Sequence, residues 1–110
     1  MAFTLRQNDS GCFLELRFVE NGNPVSIATA TTREFVLVDP RGRTKIRSGE
    51  LVNDGTDGLL EYLVQVGDFD TPGRWRCFGH LVYPVPGQID ADLYSVEVPV
   101  DVAQTFGRSA

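Results

Sequence analysis

The sequence predicts an all-β fold, a sandwich of seven to eight antiparallel strands. Three observations carry this. Apolar and polar residues alternate with a period of two in run after run, turn residues separate the runs, and no stretch shows a helical period. An open barrel is the competing arrangement of the same strands. At 110 residues the chain can bury one substantial core but not two. Residues 1–103 are expected to form a single domain and residues 104–110 a flexible C-terminal tail.

Taken in order, "FTLRQ" reads as the first strand and "CFLELRFV" as the second. In that second run Cys12, Leu14, Leu16 and Phe18 share one face, with Glu15 and Arg17 opposite. "ENGNP" is a turn whose Asn-Gly pair accepts positive φ. "TREFVLVD", the tight turn "PRG" and the short strand "RTKIR" follow. "GELVND" runs into the loop "DGTDG", and "LLEYLVQV" then places Leu60, Tyr62, Val64 and Val66 on one face. "GDFDTPG" turns into "RWRCFGHLVY", and the loop "PVPGQIDAD" leads to a last strand, "LYSVEVPVDV", with Tyr94, Val96, Val98 and Val100 on one face. Pro99 inside that strand points to an edge position or a bulge, where no ladder donor is needed.

The stretch "DTPGRWRCF" concentrates unusual residues: the only tryptophan, one of the two cysteines and a Pro-Gly turn. Alternation puts Trp75, Cys77, Gly79, Leu81 and Tyr83 on one face and Arg74, Arg76, Phe78 and His80 on the other. Cys77 is therefore expected in the core, where a thiol is inert. Cys12 points inward on its own strand, so the two thiols could meet across the core. A bridge there would be worth about 4 kcal/mol by chain entropy. Without an export signal, two buried free thiols are expected instead. The expected core is Cys12, Leu14, Leu16, Phe18, Tyr62, Trp75 and Cys77.

The order of "FTLRQNDSG", "LELRFVENGNPVSIATATTREFVLVDPRG", "DGLLEY" and "DFDTPGRWRCFGHLV" resembles the immunoglobulin-like N-terminal domain of phage baseplate upper proteins of the BppU type, and related small phage virion proteins. The matching pieces span residues 3–83. Beyond them the chain departs from the family pattern, because "YPVPGQIDADLYSVEVPV" is longer and irregular where a threonine-proline signal is usual. The resemblance implies an immunoglobulin-like β-sandwich and a non-enzymatic virion structural role: a tail or baseplate adaptor, with capsid decoration close behind. The implied partners are other virion proteins and further copies of the chain within the particle, and the implied location is the virion, after synthesis in a host cytoplasm. Segment 70–78 is also similar to the Asp-x-Gly-x-Tyr-x-Cys corner of antibody-type domains, with Trp75 in the tyrosine's place and Asp70 one residue early.

Other classes find little support in the residues. A formal net charge of −5, with no basic cluster beside exposed aromatics, argues against nucleic acid. No apolar run is long enough to cross a bilayer, and "MAFTLRQND" lacks the apolar centre of a signal peptide. His80 is the only histidine and is expected on the outer surface, with no nucleophile motif to serve. Cys12 and Cys77 have no zinc-type spacing, and no glycine-rich phosphate loop is present, so no metal and no cofactor are expected. The pairs Asp54/Asp57, Asp68/Asp70 and Asp90/Asp92 are expected to cap turns, so replacing Asp68 and Asp70 by asparagine should change little. A glycosidase built on them is the least favoured reading.

The candidate interface is "PRGRTKIR", where Arg43, Lys45 and Arg47 share one face after Arg41 in the turn. From residue 48 to 101 only Arg74 and Arg76 are basic, against ten acids, so the chain is dipolar. The basic strand could dock on an acidic partner, or simply discourage strand-edge aggregation. Phe78 and Phe13 are expected to point away from the core, as interface anchors or under a neighbouring loop, and Phe78 joins the candidate interface. A carbohydrate-binding module remains the alternative, with Phe78, Tyr83 and Tyr94 as candidate platform residues.

Overall fold

The computed structural model describes residues 3–84, 91–94 and 97–103. The loop expected at 85–90, Val96, the side chain of Tyr94 and the tail at 104–110 lie outside the described residues. Eleven strands are described: β1 (Phe3–Arg6), β2 (Phe13–Arg17), β3 (Val19–Glu20), β4 (Asn23–Pro24), β5 (Thr32–Val38), β6 (Thr44–Ser48), β7 (Glu50–Leu51), β8 (Leu59–Leu63), β9 (Gly73–Tyr83), β10 (Ala91–Tyr94) and β11 (Val98–Ala103). No helix occurs among the described residues, so the chain is all-β.

The larger sheet runs β1-β11-β9-β5-β6, with β10 also on β9, and the smaller runs β2-β8-β7. β3 and β4 form a separate hairpin. Its turn, Asn21-Gly22, has φ of 52° and 81°, the pair of positive values that matches the twist of a two-residue hairpin. Every pairing is antiparallel except β1 with β11, which is parallel. That pairing joins the first and last described strands, and alternation within a strand carries no information on the direction of its neighbour.

Both sheets contribute to one apolar cluster. Leu14, Leu16 and Phe18 meet Leu60 and Val64 on one side, and Phe35, Leu37, Trp75, Cys77, Leu81, Val100 and Val102 on the other. β5 is buried on both faces over Phe35–Val38, which is why "FVLV" reads as a continuous apolar run. Phe18 fixes one close approach between the sheets. A Cβ added at Gly79 would collide with the Phe18 ring, so only glycine lets that ring lie against β9.

Eleven described strands and one parallel pairing replace the seven to eight antiparallel strands expected, and four finer expectations also change. The last apolar run is two strands, not one: β10 pairs with residues 80–83 of β9, and β11 pairs with residues 73–77. Both lie on the edge of β9 opposite β5. β11 is not an edge strand, since β1 covers its far side from Val100 onwards. Val66 is exposed, because β8 ends at Leu63 and the chain turns before the alternation can continue. Cys12 and Tyr62 are only partly buried, packed against the core rather than inside it. Cys12 precedes β2, and the Tyr62 hydroxyl reaches out to Asp68. Both cysteines are free. Burial pushes the Cys77 thiol up to about 12, which leaves it protonated and unreactive.

Candidate functional site

The basic strand lies at the rim of the core. β6 is the last strand of the larger sheet, and Lys45 and Arg47 lie opposite Leu37 and Phe35, whose side chains are fully buried. Sharing that inward face, the two cations reach across to the segment between β8 and β9. Lys45 Nζ donates to the carbonyls of Gly67 (2.7 Å) and Asp68 (3.0 Å) and lies 3.2 Å from Asp70 Oδ1. Arg47 Nε donates to Asp68 Oδ1 at 2.9 Å. Arg43 Nε donates to buried Asp39 at 2.7 Å, and the same carboxylate accepts the backbone N–H groups of Arg41 and Arg43, closing the turn. The alternation was legible, but which face looked inward was not. Three of the four cations are engaged by this chain's own acids. Inward-turned charges on a terminal strand do discourage edge-to-edge pairing.

Asp68 is the centre of this arrangement. Its carboxylate accepts the Tyr62 hydroxyl, the Gln65 N–H (2.8 Å) and Arg47, and its residue is almost fully buried. Burial alone would raise its pKa, but the hydrogen bonds from Tyr62, Gln65 and Arg47 outweigh that and hold it below the usual carboxylate value. Burial and the same carboxylate push Tyr62 up to about 12. The segment so anchored wraps Trp75: Phe69 packs edge-on against the indole at 4.9 Å, Lys45 lies 5.5 Å above it, and Trp75 Nε1 donates to Thr71 O at 2.8 Å. The indole thus bonds back to a carbonyl four residues upstream, as the tyrosine of an antibody-type corner does.

His80 is not an open surface histidine. Its side chain is largely covered, with Nδ1 2.8 Å from Glu34 Oε1 and Nε2 2.8 Å from Asp92 Oδ1. The alternation correctly put it on the outer face but could not foresee carboxylates arriving from β5 and β10. Two acceptors require two N–H donors, so the geometry calls for imidazolium. Burial opposes the charge, yet Glu34 and Asp92 together raise the pKa above its ordinary value. The stabilisation is therefore complete below about pH 6.5 and lost as pH rises through the raised value. Wild type is expected to exceed His80→Gln in thermal stability at mildly acid pH, with the gap closing in alkali. A gap independent of pH would contradict the charged clip. With both ring nitrogens held by carboxylates, this histidine is not placed to activate a nucleophile.

Asp54 and Asp57 turn inward on their own loop, and Asp90 lies outside the described residues. Asp54 accepts Thr56 N–H and Oγ1–H, and Asp57 accepts Leu59 N–H and Asn53 Nδ2. Among the described residues no group of three or more His, Cys, Asp or Glu is arranged to hold a metal ion. Phe78 is half-buried, not fully outward. It lies in a row with Val36 of β5 and Ile46 of β6, the latter 54% exposed. Val36 and Ile46 were missed because neither stands out in its own strand; only the register aligns them with Phe78.

No protein-family model matches the sequence, and no curated protein does. Among solved structures, the fold is similar to the N-terminal domain of phage TP901-1 ORF48, with a TM-score of 0.72 and 18% identity over 94% of this chain and 85% of that one. The family resemblance read from the sequence thus meets a fold resemblance to the N-terminal domain of a phage protein.

Proposed function

We propose that this protein is a non-enzymatic component of a bacteriophage virion, an immunoglobulin-like β-sandwich that attaches to a larger tail or baseplate assembly. Capsid decoration is the second placing. The observation that carries the reading is the fold similarity to the N-terminal domain of a phage protein along nearly the whole chain. The side-chain chemistry supports it: the aspartates, cations and histidine singled out in the sequence brace loops and strands against one another. Function then falls to the outer surface, where many copies on a symmetric particle gain avidity from modest contacts. The glycan reading loses ground because Tyr83 donates its hydroxyl to Ser26 O and Phe78 is half-buried in its sheet. The test is to fractionate a lysate of the encoding phage by density gradient and to probe the isolated domain on a glycan array. The protein is expected in the particle fraction, with no saturable glycan binding. Its absence from particles, or saturable glycan binding by the isolated domain, would reverse the assignment.

A further inference from the structure

The outward face of the smaller sheet carries an apolar pair and an acidic row side by side. Phe13 lies opposite Leu63, and they are 55% and 41% exposed. Next along, Glu61 lies opposite Glu15 of β2 on one side and Glu50 of β7 on the other. Like charges directly opposite destabilise a sheet. Among the described residues none of these three glutamates has a cation at ion-pair distance. A shallow groove of about 420 Å³ lies against them, lined by Phe13, Leu63, Glu50, Glu61, Tyr62 and Ser48 among others.

β2 is also an edge. It pairs with β8 alone among the described strands. Cys12 O accepts from Val64 N and Phe18 N donates to Gly58 O, so the even-numbered residues of this stretch face β8. Alternate residues direct their backbone groups to opposite sides. Phe13, Glu15 and Arg17 therefore turn their N–H and C=O groups to the open side. A bare cation would use the carboxylates but not this backbone; an extended polypeptide uses both.

We propose that the edge of β2 left unpaired among the described strands accepts an extended cationic segment of another virion protein as an added strand. Its apolar residue seats at Phe13–Leu63, and its Lys or Arg extends the Glu15–Glu61–Glu50 row. An antiparallel segment would read acidic-x-basic-x-apolar, facing Arg17, Glu15 and Phe13 in turn. A second copy of this chain fits poorly, because Arg43, Lys45 and Arg47 of its cationic strand are engaged by Asp39, Asp68 and Asp70. The inference rests on the virion reading and adds the chemistry of the partner.

The test is a titration of the whole protein, followed by amide NMR, with the synthetic peptide Thr-Glu-Thr-Lys-Thr-Leu-Thr up to millimolar concentration. A control peptide carries Glu in place of Lys. Saturable shifts are expected at β2 and β8, with slowed amide exchange at Phe13, Glu15 and Arg17, and with binding weakened by salt. The control peptide and the variant Glu61→Lys should each bind about tenfold more weakly or worse. Glu15→Pro deletes an outward N–H that pairing with β8 does not use, and should abolish binding where Glu15→Gln only weakens it. If Glu15→Pro does not fold, the surface variant Glu61→Lys decides. Equal response to both peptides, or undiminished binding by Glu61→Lys, would overturn the site. Incorporation of wild type and Glu61→Lys alike into particles would also overturn it while leaving the virion reading intact. Absence of wild type from particles would overturn both.

Discussion

Replacing Trp75 by alanine is expected to lower folding stability by about 3–5 kcal/mol, the range for truncating a buried large aromatic. The indole is fully buried and is the largest such side chain among the described residues. It faces Phe69 edge-on, carries Lys45 above its ring and donates to Thr71 O, so truncation opens a cavity and also frees the segment that wraps it. That segment cannot collapse freely into the space, because Asp68 ties it to Tyr62 and Arg47. Chemical denaturation of wild type and variant measures the effect. Should the alanine variant not fold, Trp75→Phe, which keeps a ring but loses the Thr71 bond, should still shift the midpoint downwards. A midpoint that hardly moves in either variant would contradict the interior placement.

Replacing Asp68 by alanine is expected to cost about 3 kcal/mol. The change leaves a tyrosine hydroxyl and the Gln65 amide without their acceptor and removes the counter-ion of Arg47, which is itself partly exposed and softens the loss. Asp68→Asn keeps one acceptor oxygen and should cost about half as much. Because the carboxyl is held below its ordinary pKa, its contribution is fully present above about pH 4 and fades as pH falls through the lowered value. The stability curves of wild type and Asp68→Asn should therefore converge in acid. Unchanged stability of Asp68→Ala at neutral pH would sink the bracing role. Asp68 does cap its turn through the Gln65 N–H, as the sequence suggests, and the added bonds from Tyr62 and Arg47 are what set this cost apart from the small effect expected there.

The contrast between these two residues marks how far the sequence could be read. Trp75 and Cys77 were assigned to the interior by alternation, since a period of two belongs to the strand itself. Asp68 lies in a turn, where no period applies, and its value comes from Arg47, on a strand far back in the chain, and from Tyr62, whose hydroxyl meets it only through the turn after β8. His80 repeats the lesson: its face was legible, but its two carboxylate partners depend on the order of β5, β9 and β10 in the sheet. The cations of β6 were recognised as a set, yet only their pairing opposite Phe35 and Leu37 shows that they point inward. The break at Phe18 and the division of the last run into β10 and β11 were hidden for the opposite reason, because apolar residues run on in the sequence.

The proposed virion role is tested most directly by cryo-electron microscopy of gradient-purified particles of the phage proposed to encode the protein. The account predicts density matching this all-β domain at symmetry-related positions, resting on another virion protein through its outer surface. Particles without that density, from cells where the protein stays in the soluble fraction, would contradict it.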